Sequence, residues 1–459
     1  MNDDTTDAQI STPRHRLDRT MVRGKISRRR LVAAAGAMTG AAIWAGRPAF
    51  ARQATPVASP VSMSRDWRGE RWVGTWAAAM HAPSAGFGEE FPSQFFEFDN
   101  QTVRQIVRTS IGGGRVRIRL ANTFGDIPLV IGAARLALRD SGERIDPASD
   151  QVLTFSGRHS ITIPPGALVV SDPVALTVPA LSELAVSIYF PEPTTSTTVH
   201  AFAFQTNYFS PEGDFTAETA MPVETTVQSW VFLSGIDVTV SEPTGVVVTL
   251  GDSITDGALS TPDTNQRWPD LLAERLVADT DQPALAVLNA GIGANRVLND
   301  PPEGFEFAGP NALARFDRDV LGQPGVTHLI VFEGINDIGL PALSGEPEEF
   351  VSADELITGL RQLAERAHEH DIVAFGATIT PFEGSMVFSE AGEAIRQAVN
   401  DWIRTGGAFD AVFDFDKVVR DPGQPTRLLP AFDAGDLLHP NDAGFRAMAE
   451  SIDLALLRT

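Results

Sequence analysis

The chain reads Val246-Val247-Val248-Thr249-Leu250-Gly251-Asp252-Ser253-Ile254-Thr255-Asp256-Gly257 across the stretch that decides its fold. The first half of this stretch is a run of mainly β-branched apolar residues, which is typical of a fully buried strand. The run stops at Gly251 and presents Ser253 on the turn beyond. Open α/β sheets bind ligands at the carboxyl ends of their strands, so the pattern predicts a functional serine at such an end.

Strand and helix patterns alternate after Pro243, which predicts a parallel, doubly wound sheet over residues 244–459. Ser352 and Glu355 form the spacing of a helix capping box. The last helix is expected to bury Phe445, Met448, Ala449, Ile452 and Leu456. The expected strands are 246–250, 286–289, 328–333, 372–378 and 411–415, and the expected helices are 268–277, 354–369, 390–404 and 442–457.

Residues 67–243 show a different pattern of many short apolar segments separated by Gly- and Pro-rich turns. This spacing predicts an antiparallel β-sandwich domain. Arginines alternate at 115, 117 and 119; we expect a solvated outer face there, with acidic sugar binding as the alternative. His81 and His200 look isolated. The expected strands are 102–107, 115–120, 129–136, 160–163, 174–178, 184–190 and 199–204.

The N-terminal segment, residues 1–51, has the features of an export signal. Ser27–Val32 resembles a twin-arginine motif, an apolar run follows, and the segment ends in an A-x-A pattern that predicts cleavage after Ala51. A retained membrane anchor is the alternative, but the apolar run is short for a span. Residues 52–66 are Pro-rich and are expected to form a disordered linker. We therefore expect a secreted, periplasmic or cell-envelope protein with no integral membrane anchor after processing.

The overall composition narrows the partners and the chemistry. The formal net charge is −23, and the signal segment is basic, so the processed chain is more acidic still. Such a chain should repel nucleic acid and anionic membrane surfaces. Cysteine is absent, which excludes disulfides, thiolate catalysis and a lipoprotein anchor.

The polar residues that stand out all follow the ends of predicted strands, which share one edge of a parallel sheet. His439 is the candidate general base for Ser253, and Asp436, three residues earlier, can orient its imidazole. The side-chain amide of Asn336 can donate to an oxyanion, although Gly-x-Asn-Asp is also good turn chemistry. The backbone N–H groups of Ser253 and Ala294 would complete the oxyanion hole. Asp252, Asp337 and Asp256 are expected to hold loops by accepting backbone hydrogen bonds. Asn295 and Gly334 are further supporting residues.

Four blocks together resemble the SGNH hydrolases, also called the GDSL esterase/lipase family: Gly251-Asp252-Ser253-Ile254, Asn289 to Asn295, Gly334-Ile335-Asn336-Asp337 and Asp436-Leu437-Leu438-His439. The resemblance implies a flavodoxin-like three-layer α/β/α domain with a five-stranded sheet. It also implies ester hydrolysis through an acyl-serine, without metal or cofactor. Ser253 would be the nucleophile, His439 the base, Asp436 its partner and Asn336 an oxyanion donor.

One residue departs from the family pattern. The second block has Ala294 where the family usually has glycine. The expected donor is a backbone N–H, which alanine also supplies unless φ is positive at that position.

Further segments resemble a two-domain secreted branch of arylesterases and of xylan or sugar acetyl esterases: Trp72 to Trp76, Arg267-Trp268-Pro269, Arg315 to Asp319 and His439-Pro440-Asn441. This resemblance implies a small-molecule or polysaccharide ester as substrate, with a short acyl group such as acetyl. Two other functions stay open. One is a metal-dependent phosphoesterase using Asp252, Asp256 and His439. The other is a non-catalytic carbohydrate-binding protein.

Overall fold

A computed structural model describes residues 71–86, 93–241, 244–280, 284–344 and 349–458, the side chains of 342–344 excepted. The expected signal segment and linker lie outside these residues. None of the helices within the described ranges is long and apolar enough to cross a membrane.

Two antiparallel sheets make up the N-terminal half, which confirms the expected sandwich. The smaller sheet has the order Arg71–Ala77, Leu233–Val240, Val116–Ala121, Leu168–Val170. The larger sheet has the order Thr225–Val227, Asn207–Glu212, Gln101–Arg108, Glu183–Phe190, Ala133–Ser141, Arg144–Ile145, and Gln151–Val152 also pairs with Ala133–Ser141. The described residues of this half also form three short pairs: Glu97–Phe98 with Thr194–Thr195, Val199–His200 with Trp230–Val231, and Leu129–Ile131 with Ile161–Ile163.

Three expectations for this half were wrong in detail. The expected strand 129–136 divides at Gly132, because its two parts pair with different neighbours. The expected strand 174–178 makes only isolated bridges at Val174 and Val178. Pro173 and Pro179 flank it and cannot donate to a ladder. The strand expected at 199–204 stops after two residues.

The alternating arginines do not form the solvated face that we expected. Arg117 and Arg119 both direct Nε at the buried carboxylate of Asp237, at 2.8 and 3.0 Å. A guanidinium nitrogen of Arg119 also donates to the carbonyl of Gly322, 3.0 Å away in the C-terminal half. These side chains therefore hold strands and halves together.

The C-terminal half contains the expected five-stranded parallel sheet. Its strands are β1 (Gly245–Gly251), β2 (Leu285–Gly291), β3 (Val326–Phe332), β4 (Val373–Ala377) and β5 (Ala411–Phe413). Their order is β2-β1-β3-β4-β5, which is the flavodoxin-like arrangement. A short antiparallel pair, Arg420–Asp421 with Gln424–Leu428, lies beyond β5 in the chain.

Helices cover both faces of this sheet and give the three expected layers. Val246 and Val248 pack in one core with helices Ala353–His368 and Glu390–Thr405, whereas Val247 packs in another core with helices Trp268–Ala278 and Asp442–Ser451. The helices are α1 (Ser253–Asp256), α2 (Trp268–Ala278), α3 (Ala312–Phe316), α4 (Ile335–Ser344), α5 (Ala353–His368), α6 (Glu390–Thr405), α7 (Phe415–Val419) and α8 (Asp442–Ser451). Shorter helical turns span Glu306–Ala308, Asp317–Leu321 and Leu454–Arg458.

The expected capping box of α5 is present, with Ser352 and Glu355 bonded in both directions. The expected end of the last helix was wrong. Helix α8 stops at Ser451, Ile452 adopts an extended conformation, and the chain continues as a 3-10 turn. This break changes the helical phase, so Leu457 is buried in place of Leu456.

The sandwich packs against β2, the edge strand of the parallel sheet. The N–H of Val287 in β2 donates to Ser110 Oγ at 3.1 Å. The N–H of Gly74 in the first sandwich strand donates to the carbonyl of Pro324 at 2.9 Å. One continuous hydrophobic core includes Val73 of the sandwich and Leu288 of β2. The two halves therefore share a core.

Candidate active site

Ser253 lies at the carboxyl end of β1 and is the first residue of α1. Asp252 caps this helix by accepting the N–H of Ile254 at 2.9 Å. As the first helical residue, Ser253 has no intrahelical acceptor for its own N–H. Only glycine fits at position 251, because a Cβ there would lie 2.1 Å from Thr255 Oγ1 and 2.8 Å from the carbonyl oxygen of Phe332. Burial raises the pKa of Asp252 to about 7.

Ser253, His439 and Asp436 form a continuous hydrogen-bonded line. Ser253 Oγ is 2.8 Å from His439 Nε2, and His439 Nδ1 is 2.6 Å from Asp436 Oδ2. A neutral imidazole that donates from Nδ1 accepts the serine proton at Nε2. Burial pushes the pKa of Asp436 up, but hydrogen bonds and charge from His439 outweigh it and hold that pKa at about 2.

The loop that carries His439 is held by its own carboxylates. Asp436 Oδ1 accepts the N–H groups of Leu438 and His439 at 3.0 and 2.8 Å. Asp433 accepts the N–H groups of Gly435 and Leu437. These short-range bonds fix the backbone of the loop from which the imidazole projects.

The loop after β2 brings Ala294 next to α1. The N–H of Ile292 donates to the carbonyl of Gly251 at 3.0 Å, and the N–H of Gly293 donates to Asp256 Oδ2 at 3.0 Å. Within the described ranges, no hydrogen bond uses the N–H of Ala294. The φ of Ala294 is +60°, so the exception stated for alanine at this position is met and its backbone is strained, although the N–H group itself is present. The left-handed conformation costs an alanine about 1 kcal/mol.

Asn336 lies in the first turn of α4 and not in the simple turn that its sequence also allowed. Gly334, with φ of +121°, leads from β3 into this helix. The amide nitrogen of Asn336 donates one hydrogen to the carbonyl of Asn295 at 3.0 Å, which leaves its second hydrogen for another acceptor. Asp337 accepts the N–H groups of Val297 and Leu298, at 2.8 and 3.0 Å, and burial raises its pKa to about 6.

Arg315 is a residue whose place at the site sequence reasoning missed. Its fully buried guanidinium donates to the carbonyls of Gly251 and Ala290, at 3.0 and 2.7 Å, and to Asn295 Oδ1 at 2.9 Å. It also contacts the carboxylates of Asp319 and Glu333, at 3.2 and 3.3 Å. Arg315 therefore joins the carboxyl ends of β1, β2 and β3. The only signal was its place in the quoted block Arg315 to Asp319.

His200 was expected to be isolated in the sandwich, and this was wrong. Its Nε2 lies 2.9 Å from Asp256 Oδ1, with both side chains buried. Asp256 ends the helix that Ser253 begins. The sandwich thus contacts the segment that carries the candidate nucleophile.

Aromatic side chains from both halves lie beside Ala294. Phe202 of the sandwich packs on Gly293, where a Cβ would lie 2.8 Å from its ring. Phe202 also meets Phe307 edge to face at 5.8 Å between centroids. The amide nitrogen of Asn295 donates to the carbonyls of Ala308 and Pro310, at 2.6 and 2.9 Å. Segment 299–310 is therefore fixed to the loop that carries Ala294.

The three residues considered as metal ligands do not converge. Both carboxylate oxygens of Asp256 are already bonded, to His200 and to Gly293. Asp252 caps α1, and His439 pairs with Ser253 and Asp436. The described part of the chain contains no group of three His, Cys, Asp or Glu side chains arranged to hold a metal ion.

Residues 249–447 match the model of the GDSL-like Lipase/Acylhydrolase family. No curated protein sequence matches the chain. One similar solved structure is a putative lipolytic protein of the G-D-S-L family from Desulfitobacterium hafniense DCB-2, with 21% identity over 47% of this chain and 99% of that one, at a TM-score of 0.33. Another is a putative arylesterase from Agrobacterium tumefaciens str. C58, with 19% identity over 46% and 98%, at 0.35. A third is a catalytic mutant of the acetylxylan esterase Axe2 from Geobacillus stearothermophilus, with 22% identity over 45% and 91%, at 0.34.

Proposed function

We propose that this chain, a carboxylic ester hydrolase whose residues 249–447 belong to the GDSL-like lipase/acylhydrolase family, acts through an acyl-serine formed on Ser253. The observation that carries the proposal is the line from Ser253 Oγ through His439 to Asp436, at 2.8 and 2.6 Å. Serine alone is a weak nucleophile, and it needs a base in hydrogen-bond contact to react at neutral pH.

In the first half of the reaction, Ser253 Oγ attacks the carbonyl carbon of the ester while His439 Nε2 takes the hydroxyl proton. The resulting oxyanion is stabilised by the N–H groups of Ser253 and Ala294 and by the free amide hydrogen of Asn336. The carbon–oxygen bond to the alcohol then breaks, and His439 returns the proton to the leaving alcohol. Asp436 stabilises the imidazolium that exists between these two steps.

In the second half, water replaces the alcohol. The water oxygen attacks the acyl carbon while His439 takes a proton from that water. The same three donors stabilise the second oxyanion. When this tetrahedral intermediate collapses, the bond between the acyl carbon and Ser253 Oγ breaks, and Ser253 Oγ takes a proton back from His439. The products are a carboxylic acid and an alcohol, and the enzyme returns to its starting state.

We propose short acyl groups, acetyl above all, on a small or carbohydrate alcohol. Segment 299–310 forms the rim beside Ala294, and Asn295 fixes its end through the carbonyls of Ala308 and Pro310. We infer that this rim confines the acyl group in a small pocket beside Ser253. Such a pocket discriminates by about 1–3 kcal/mol for each added methylene. Rates on p-nitrophenyl esters should fall from acetyl to octanoyl, and a maximum at octanoyl or longer would contradict the proposal.

We also propose export through the twin-arginine route, which the motif Ser27–Val32 and the A-x-A pattern ending at Ala51 support. Replacing Arg28 and Arg29 together with lysine should retain the enzyme inside the producing cell. The N-terminal sequence of exported protein should begin at Arg52. Unchanged export of the double variant would contradict this route.

The acyl-serine is tested by Ser253→Ala together with active-site labelling. Hydrolysis of p-nitrophenyl acetate should fall by about 10³-fold or more, with the melting temperature unchanged. A fluorophosphonate should add one mass increment to the wild-type peptide that contains Ser253, and none to the variant. Ser260→Ala, seven residues along the same segment, is the matched control and should label and turn over normally. Near-wild-type turnover by Ser253→Ala would overturn the serine mechanism.

A further inference from the structure

A buried contact between the two halves reaches the proposed oxyanion hole. His200 lies in the sandwich strand Val199–His200, and its Nε2 is 2.9 Å from Asp256 Oδ1. Its Nδ1 is 2.9 Å from the carbonyl oxygen of Ala79. Both side chains of the pair are buried. Asp256 also accepts the N–H of Gly293 at 3.0 Å through its other oxygen.

The partners of His200 indicate which of its nitrogens carry protons. A carbonyl oxygen can only accept, so Nδ1 carries a hydrogen. Asp256 accepts the N–H of Gly293 at one oxygen, and we infer that its other oxygen accepts from His200, so that Nε2 carries a hydrogen too. His200 is therefore an imidazolium in a buried ion pair. Burial lowers the pKa of His200, but the charge and hydrogen bond of Asp256 outweigh it and raise that pKa above its ordinary value.

Asp256 connects the two parts of the site that must be aligned. It ends α1, whose first residue is Ser253, and it fixes Gly293, the residue before Ala294. Ala294 needs such support because its left-handed backbone is strained. A rotation of the peptide plane between Gly293 and Ala294 would turn the N–H of Ala294 away from the oxyanion.

We propose that His200 is a positioning residue for ester hydrolysis: as an imidazolium it keeps the Asp256 carboxylate on the N–H of Gly293, and so keeps the N–H of Ala294 directed at the oxyanion. The proposal rests on the function proposed above and goes beyond it, because it makes the sandwich part of the catalytic apparatus.

Loss of the His200 proton should therefore switch the site off at high pH. The neutral ring would present a lone pair to the carboxylate, which would then move away from Gly293. The groups that face His200 do not replace that charge. His81, with its ring 6.1 Å away, is kept neutral because burial and His200 lower its pKa to about 3. The guanidinium of Arg267 lies over the ring of the neighbouring Trp230, and its positive charge lowers the pKa of His200.

The pair also makes stability depend on pH, with a defined sign. A histidine whose pKa is raised by folding contributes stability that is fully present below its unfolded pKa of about 6.5. That contribution is lost as pH rises through the folded pKa of His200. Activity and melting temperature should therefore decline over the same alkaline range.

Asp256→Asn removes the negative charge of this side chain but keeps groups that can make its hydrogen bonds. The amide oxygen can accept the N–H of Gly293, and the amide nitrogen can donate to Nε2 of a neutral His200 that still donates to Ala79. We expect the alkaline decline of kcat to be absent in this variant, because its side chain carries no charge that depends on a proton on His200. A ¹⁵N NMR titration should show His200 titrating above the ordinary range in the wild type, and neutral throughout in Asp256→Asn.

His200→Phe tests the opposite case, in which a buried carboxylate loses its partner. We expect kcat to fall by about 10²-fold, as for one lost oxyanion donor, with little change in KM. Adding Asp256→Asn to this variant should restore part of kcat, because an amide needs no counter-charge. His368→Phe is the matched control: His368 and Asp410 also lie 2.9 Å apart, but they are partly exposed and lie at the amino end of β4, at the opposite edge of the sheet from Ser253.

At each pH, the rate measured with Ser253→Ala is subtracted from the rate of every other variant, which removes hydrolysis of the substrate by alkali alone. If Ser253→Ala is as active as the wild type, the serine mechanism fails. If turnover depends on Ser253, two results would overturn the role of His200. One is an alkaline decline in Asp256→Asn equal to that of the wild type. The other is a His200→Phe enzyme that loses melting temperature at unchanged kcat.

Discussion

Replacing Asn336 with alanine should remove one of three donors to the oxyanion. The amide nitrogen of Asn336 has two hydrogens, and one of them is committed to the carbonyl of Asn295 at 3.0 Å. The other is the proposed catalytic donor, and such a donor is worth about 3 kcal/mol, or about 10²- to 10³-fold in kcat. KM should change little, because the donor acts on charge that develops only in the transition state.

The same substitution also has a smaller structural cost. Asn336 is buried, and losing its bond to Asn295 should lower the free energy of unfolding by about 1 kcal/mol. Asn400→Ala is the matched control, because its buried amide bonds the N–H and the carbonyl of Ile379, at 2.7 and 2.8 Å, on another loop. Both variants should be compared by steady-state kinetics on p-nitrophenyl acetate and by urea unfolding. A rise in KM at constant kcat for Asn336→Ala, or equal losses of kcat in both variants, would refute the oxyanion role.

Three further predictions follow from the same geometry. Ala294→Gly keeps the backbone donor and relieves about 1 kcal/mol of strain, so kcat should hold; a loss of kcat would show that the methyl group matters. Arg315→Met should lower the unfolding free energy by about 3 kcal/mol or more, because the buried carbonyls of Gly251 and Ala290 and the side-chain oxygen of Asn295 lose their shared donor; urea unfolding measures this, and a neutral effect would contradict it. Burial raises the pKa of Asp252 to about 7, so the folded state holds this proton more tightly than the unfolded state and stability should fall as pH rises from about 4 to about 7. Asp252→Asn should flatten that slope in thermal unfolding, and an unchanged slope would contradict the assignment.

The sequence was enough to predict the parallel sheet and the groups at its carboxyl edge. Strands such as β1 are buried on both faces, so their continuous apolar runs identify them as strands in the sequence. The glycine at position 251 marks where β1 ends and the chain turns. Ser253 and Asn336 each follow such a strand, whereas α7 and a short antiparallel pair lie between β5 and His439. Because the fold collects strand ends at one edge, order along the chain was sufficient to place them together.

The contacts missed from sequence are pairings between distant segments. His200 and Asp256 belong to different halves, and neither has a local pattern that distinguishes a buried ion pair from two surface residues. Arg315 was noticed as part of a block, but its acceptors are backbone carbonyls, which every residue has. The end of α8 was misplaced because the apolar spacing continues past Ser451 although the backbone leaves the helix there.

The bond from Val287 to Ser110 has a consequence for how this enzyme can be divided. An edge strand with free N–H groups and apolar side chains is a template for pairing with other chains, and native proteins cover or blunt it. Here the sandwich does this for β2 and also buries Leu288. A fragment that begins at β1 would expose this strand, so a shortened catalytic domain should self-associate through it and would need lysines along β2 to stay monomeric.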